Sequence, residues 1–254
     1  MTKNLIVATE DETGATVARR PYGQVHVINT EFLGKDAMRR MANEAHDLAP
    51  VNQPGAIDVA KVRFQDLQGM EPEPGLIPKM VAKAMASTGV YKDTGRFELA
   101  MWERFDYLTC RGATFHNDKF DGWSECLFWV LVLDAVDCEM VMPDIGLRLA
   151  LEPGQLIVFD PQLVHGICRP RDKGRMLKSH FAGEHGHQCF LSGELKLDLQ
   201  DWAALGCPWL PADTAEFAGA VDLQQVQVNP RTGAVKMPSP RRLTRPALST
   251  LALP

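Results

Sequence analysis

The chain has 254 residues, enough for one large domain or one domain with sizeable extensions. Its composition, 45% apolar and 23% charged, excludes a disordered chain, and a formal net charge of −5 removes any global reason to expect nucleic acid as the main partner. No apolar run reaches the roughly eighteen residues needed to span a bilayer, and the start turns acidic at Glu10, Asp11 and Glu12 before a signal-peptide core develops, so the expectation is a cytoplasmic protein without a membrane segment.

In chain order, the first predicted element is a helix over Asn29 to Leu48. Thr30 can cap it, Glu31 places negative charge in its first turn, and Phe32, Met38, Met41, Ala42 and Ala45 recur at helical spacing. The Glu-Pro-Glu-Pro run at Glu71 to Pro74 and Gly75 mark a linker, after which a second helix is expected over Ile77 to Ser87. From about Arg96 the texture becomes that of strands. Phe97, Leu99, Met101 and Glu103 alternate with Glu98, Ala100, Trp102 and Arg104, and Cys126 to Leu133 is an unbroken apolar run suited to a buried strand.

Further strands are expected at Cys138 to Met142, Leu147 to Leu151, Gln155 to Phe159, Val164 to Cys168 and Arg175 to Phe181. Turn signals separate them at Pro143-Asp144, Glu152-Pro153-Gly154, Asp160-Pro161 and Asp172-Lys173-Gly174. Short strands at this spacing indicate a mainly β sandwich or barrel rather than a parallel α/β sheet. The expected organisation is a helical and extended N-terminal region (1–95) packing on a β core (96–200), followed by a C-terminal extension (201–254). From about Asn229 that extension reads as a proline-rich tail. Cys110, Cys126, Cys138, Cys168, Cys189 and Cys207 form no C-x-x-C pair and are expected as reduced, mostly buried thiols.

The chemistry concentrates at His116-Asn117-Asp118. On a strand, residues i and i+2 project to one side, so an imidazole and a carboxylate can address a single point. Alone, such a triplet is common. His165 on a neighbouring strand would complete a two-histidine, one-carboxylate set, which suits iron(II) and leaves coordination positions open. Arg175, sharing a strand face with Leu177, Ser179 and Phe181, is expected to point inward, where a guanidinium needs an anionic partner such as a carboxylate. Arg169 and Arg171 flank Pro170 and are expected in a solvated loop. His180, His185, His187 and Cys189 carry ligand-like side chains at a spacing that matches no zinc module, and a solvent-facing loop is the expectation there. Trp102, Trp123 and Trp129 are read as core.

Gly112 to Asp118, Leu151 to Phe159, Val164-His165-Gly166 and Gly174-Arg175, in this order, resemble the iron(II)/2-oxoglutarate-dependent oxygenases, and are most similar to the prolyl-hydroxylase-like branch. The likeness covers roughly Arg96 to Phe181. It implies a double-stranded β-helix (jelly-roll) core with flanking N-terminal helices. It also implies iron held by His116, Asp118 and His165, 2-oxoglutarate gripped at its distal carboxylate by Arg175, and Tyr107 touching cofactor or substrate. The implied activity is hydroxylation of a C–H bond with dioxygen as co-substrate and release of succinate and carbon dioxide. The substrate, an amino acid, a peptide or protein side chain, or a small metabolite, is left open, as is the oligomeric state. A cupin-like metalloenzyme that does not use 2-oxoglutarate and a non-catalytic jelly-roll binding protein are the competing readings. A nucleic-acid demethylase has only the basic tail (Arg231, Lys236, Arg241, Arg242, Arg245) in its favour.

Overall fold

The computed structural model describes residues 5–29, 33–50, 53–63, 66–67, 75–86, 105–118, 126–176 and 187–237. Strand-forming texture begins earlier than the sequence reading expected. β1 (Leu5–Glu10), β2 (Thr16–Arg19) and β3 (His26–Asn29) precede helix α1 (Gly34–Leu48), and β4 (Ile57–Val62) follows it before helix α2 (Leu76–Ala86). The expected cap at Thr30 lies outside the described residues. α1 buries Ala37, Met38, Met41, Ala42 and Ala45, the stripe that the helical spacing predicts.

The central chain then runs through eight strands, β5 (Phe105–Cys110), β6 (Ala113–His116), β7 (Cys126–Asp134), β8 (Glu139–Met142), β9 (Leu147–Ala150), β10 (Gln155–Phe159), β11 (His165–Cys168) and β12 (Gln188–Lys196). They divide between two antiparallel sheets. One has the order β3-β10-β7-β12-β5-β4 and the other β6-β11-β8-β9. Apart from the β8–β9 hairpin, successive strands from β5 to β12 cross from sheet to sheet, which makes the core a double-stranded β-helix, the jelly roll. β7 is buried at every residue but its last because one face meets the opposite sheet and the other meets the helices, so its apolar run has no alternation.

Two apolar layers result. Between the sheets lie Phe128, Val130, Met140, Ile157, Phe159, Ile167 and Phe190. On the outer face of the larger sheet, α1 and α2 cover Phe105, Tyr107, Trp129, Leu131 and Leu191. Trp129 is core as expected, while Trp102, Trp123 and the alternating segment from Phe97 to Arg104 lie outside the described residues. Gly193 is required by this layer, since a Cβ there would stand 2.6 Å from Cζ2 of Trp129.

An accessory sheet packs beside the jelly roll, with the order β13 (Leu210–Pro211), β2, β1 and β14 (Val221–Asp222). The short helix α3 (Leu199–Ala204) leads into it, started by a reciprocal capping box between Asp198 and Asp201. The expected extended tail is corrected in part. β15 (Gln227–Val228) and β16 (Val235–Lys236) pair as a hairpin, and its loop carbonyls accept from the backbone amides of Phe115 and Met176, at Pro230 and Arg231. Local polarity hid this element, because its partners are backbone groups far away in sequence. Residues 238–254, with Arg241, Arg242 and Arg245, lie outside the described residues. So does most of the strand expected at Arg175 to Phe181.

None of the six cysteines is in a disulfide, and all six are buried. Among the described residues, no helix is long and apolar enough to cross a membrane.

Candidate metal centre

His116 ends β6 and His165 opens β11. The two are directly opposed in the register of that antiparallel pair. Their rings therefore face the same side of the sheet, with centroids 4.4 Å apart. Asp118 follows two residues after His116, and the same-side logic of the H-x-D triplet carries its carboxylate to the same point. One Nε2–carboxylate distance is 3.8 Å for His116 to Asp118 Oδ1, and the other is 3.8 Å for His165 to Asp118 Oδ2. One ligand atom from each side chain lies within 4.8 Å of the others, a group that can hold a metal ion.

The tautomers follow from the hydrogen bonds. His116 Nδ1 lies 2.7 Å from the carbonyl oxygen of Thr114, and His165 Nδ1 lies 2.8 Å from that of Leu163. A carbonyl only accepts, so each Nδ1 carries the proton and each Nε2 presents a lone pair. Both lone pairs aim at the carboxylate from 3.8 Å, too far for a hydrogen bond and suited to donors that share an ion. Electrostatics agree. Burial raises the Asp118 carboxyl and pushes His165 down to about 3. A largely buried carboxylate beside two imidazoles that present lone pairs would be balanced by a divalent ion. The residues present fit a ferrous or similar ion.

The triad stands on the wall of a cavity of about 380 Å³ between the two sheets. Leu108, Phe128, Val130, Met140, Ile167 and Phe190 give it an apolar lining, and no lysine or arginine is among the described residues around it. Sequence reasoning missed these side chains. Their strands are legible locally, but which residues meet across two sheets depends on register. A second cavity of about 780 Å³ beside α1 shares no lining residue with this one and lies away from the triad.

No protein-family model matches the chain, and no curated protein matches it by sequence. Solved structures similar to it include a viral collagen prolyl hydroxylase from Paramecium bursaria Chlorella virus-1 in its 2-oxoglutarate complex. That likeness has 13% identity, a TM-score of 0.41, and covers 68% of this chain and 96% of that one. A prolyl-4-hydroxylase from Pseudomonas putida is 18% identical with a TM-score of 0.40, covering 68% of this chain and 92% of that one. The non-heme alpha-ketoglutarate-dependent carbocyclase of nogalamycin biosynthesis is 10% identical with a TM-score of 0.40, covering 69% and 81% respectively. At such scores the likeness assigns neither substrate nor activity.

Two expected site residues stand elsewhere. Tyr107 lies on the face of β5 opposite the cavity, fully buried beneath α1, and its hydroxyl donates to Glu44 Oε2 at 2.8 Å. Burial, that hydrogen bond and the Glu44 charge all raise its pKa. Period-2 alternation is the reason: Asp106, Leu108 and Cys110 face the cavity, so Tyr107 cannot. Arg175 follows the left-handed Gly174, its amide closing a turn onto the Asp172 carbonyl, and its side chain is exposed. The expected inward face is corrected at Arg175, where the chain has just left the turn and is not in a strand. Arg169 precedes the 3-10 turn Pro170–Asp172 and Arg171 lies within it, as expected for a loop.

The second cluster is partly corrected as well. Cys189 is buried in β12, whereas His187 is partly buried, accepting from Arg111 Nε at 2.9 Å and packing edge-on to His46. His180 and His185 lie outside the described residues.

Proposed function

We propose that the chain is an iron(II)- and 2-oxoglutarate-dependent dioxygenase that hydroxylates a C–H bond, with His116, Asp118 and His165 as the metal ligands. One observation carries this reading: three donors of the right chemistry converge at one end of an apolar cavity, with both histidines held in the ligating tautomer. When bound, iron and 2-oxoglutarate supply dioxygen activation, in which one oxygen atom enters the substrate and the other enters succinate, with loss of carbon dioxide.

The chain's own residues do the rest. Thr114 and Leu163 orient the two imidazoles through their carbonyls. The apolar lining keeps water from the reacting centre and favours a substrate that presents a hydrocarbon group to it. Support for 2-oxoglutarate is the order of the sequence motifs, with Arg175 as the residue that the resemblance nominates for its distal carboxylate. The exposed position of Arg175, and a cavity without lysine or arginine among the described residues, favour a second reading: a cupin-like metalloenzyme that does not use 2-oxoglutarate.

The deciding experiment reconstitutes the chain anaerobically with Fe(II) and titrates 2-oxoglutarate while recording the visible absorption spectrum. Succinate release is then assayed against a panel of amino acids, peptides and apolar metabolites. A new charge-transfer band and succinate formation, both lost in Asp118→Ala, are expected. Stoichiometric iron with no spectral response to 2-oxoglutarate selects the second reading, and no stoichiometric metal at all overturns both.

A further inference from the structure

The turn between β10 and β11 touches both halves of the triad. The backbone amide of Asp118 donates to the Pro161 carbonyl at 3.0 Å, and Gln162 Nε2 donates to the Asp118 carbonyl at 2.5 Å. The Leu163 carbonyl accepts from His165 Nδ1, and the Leu163 amide closes the turn onto the Asp160 carbonyl at 3.0 Å. One four-residue turn thus sets the backbone of the carboxylate ligand and the ring of a histidine ligand.

That turn is anchored from outside the jelly roll. The Asp160 carboxylate accepts from Arg19 Nη1 at 2.6 Å, from the Tyr22 amide at 2.8 Å and from the Gln162 amide at 3.0 Å. Both side chains of the Arg19–Asp160 pair are fully buried. Arg19 belongs to β2 of the accessory sheet, and its guanidinium lies 3.7 Å over the Trp202 ring and 5.3 Å from that of Trp209. A buried ion pair is an inefficient way to stabilise a fold, because desolvating two charges offsets most of their attraction. Gln162 is also an inefficient stabiliser: it is 1% exposed, and its Oε1 is buried without a hydrogen-bond partner among the described residues. Both make sense if what they secure is the placement of the turn.

We propose that Arg19, Asp160 and Gln162 are positioning residues for the metal centre, coupling the accessory sheet to the geometry of Asp118 and His165. The inference rests on the reading of the triad as a metal site. Its test uses the full chain and Mn(II), with affinity measured by electron paramagnetic resonance of the free ion and melting temperature measured on the same metal-free samples. Gln162→Leu keeps the volume and removes the donor to Asp118, Asp160→Asn weakens the anchor, and Met41→Ala, beneath α1, serves as a destabilised comparator.

Gln162→Leu is expected to weaken Mn(II) binding by about 10- to 100-fold with a small change in melting temperature, whereas Met41→Ala melts earlier and binds as the wild type does. Asp160→Asn is expected to lose at least as much affinity. Should it fail to fold, Gln162→Leu alone decides. Less than a tenfold loss in Gln162→Leu overturns the proposal while leaving the triad reading intact. A wild-type chain that binds no Mn(II) overturns the triad reading, and the proposal with it.

Discussion

At Asp118 the metal-free protein holds a carboxylate that burial makes costly to ionise. Because the folded-state pKa is raised, the charge works against folding at neutral pH, and replacing it with a neutral isostere removes that cost. Metal-free Asp118→Asn is therefore expected to melt higher than metal-free wild type at pH 7, by the equivalent of on the order of 1 to 3 kcal/mol. With a saturating divalent ion the order should reverse, because only the wild type gains from binding. Differential scanning calorimetry of the four samples checks both signs, and a lower apo melting temperature for Asp118→Asn would refute the argument.

The thiols give a second prediction at this scale. Burial raises Cys138, Cys168 and Cys189 to about 12 and Cys207 to about 11, and it raises Cys110 and Cys126 as well. The thiolate is the reactive form, so all six should resist a disulfide reagent in the native protein and react together on unfolding. Rapid native labelling of any of them would contradict the burial described.

Among the elements, β11 and β12 each hold a glycine with no room for a side chain. A Cβ on Gly166 would stand 2.8 Å from Cδ1 of Phe115 and 3.0 Å from the Ala113 carbonyl, pushing on the strand that ends in His116. Gly166→Ala is expected to cost about 1 to 3 kcal/mol and to weaken metal binding, because the displaced strand carries His116, a proposed ligand. Gly193→Ala should cost a comparable amount against Trp129 on the helix-covered face, and leave metal affinity nearly unchanged. Denaturant midpoints and Mn(II) titrations of the two variants separate overpacking from site geometry. Equal loss of affinity in both would mean that the centre responds to stability rather than to β6.

For the molecule as a whole, the Arg19–Asp160 pair joins the accessory sheet to the jelly roll across 141 residues of sequence. Asp160→Ala leaves a fully buried guanidinium without its carboxylate, and is expected to cost about 3 to 5 kcal/mol. For a chain of this length that corresponds to a fall of roughly 10 °C in melting temperature. A fall of only a degree or two would show that Trp202, Trp209 and the neighbouring carbonyl of Arg20 suffice for Arg19. Removing residues 227–254 takes away the hairpin that receives the Phe115 and Met176 amides, and a lower denaturant midpoint should follow.

The sequence by itself determined what depends on neighbours in the chain. The two-residue alternation that places His116 and Asp118 on one side, the apolar run of β7, the buried stripe of α1 and the turns around β10 were all legible, since each is a local periodicity or a local backbone preference. So was the donor chemistry of the candidate site, because imidazole and carboxylate carry it wherever they sit.

Only the tertiary structure decided which faces look inward. Tyr107 and Leu108 are adjacent and opposite, and nothing in the sequence says which of the two faces of β5 meets the helices. Arg19 has no local signal of burial, because a charged side chain enters a protein interior only when a distant partner, here Asp160, meets it there. The opposition of His165 to His116 is likewise a matter of register, between two strands of one sheet that lie far apart in sequence.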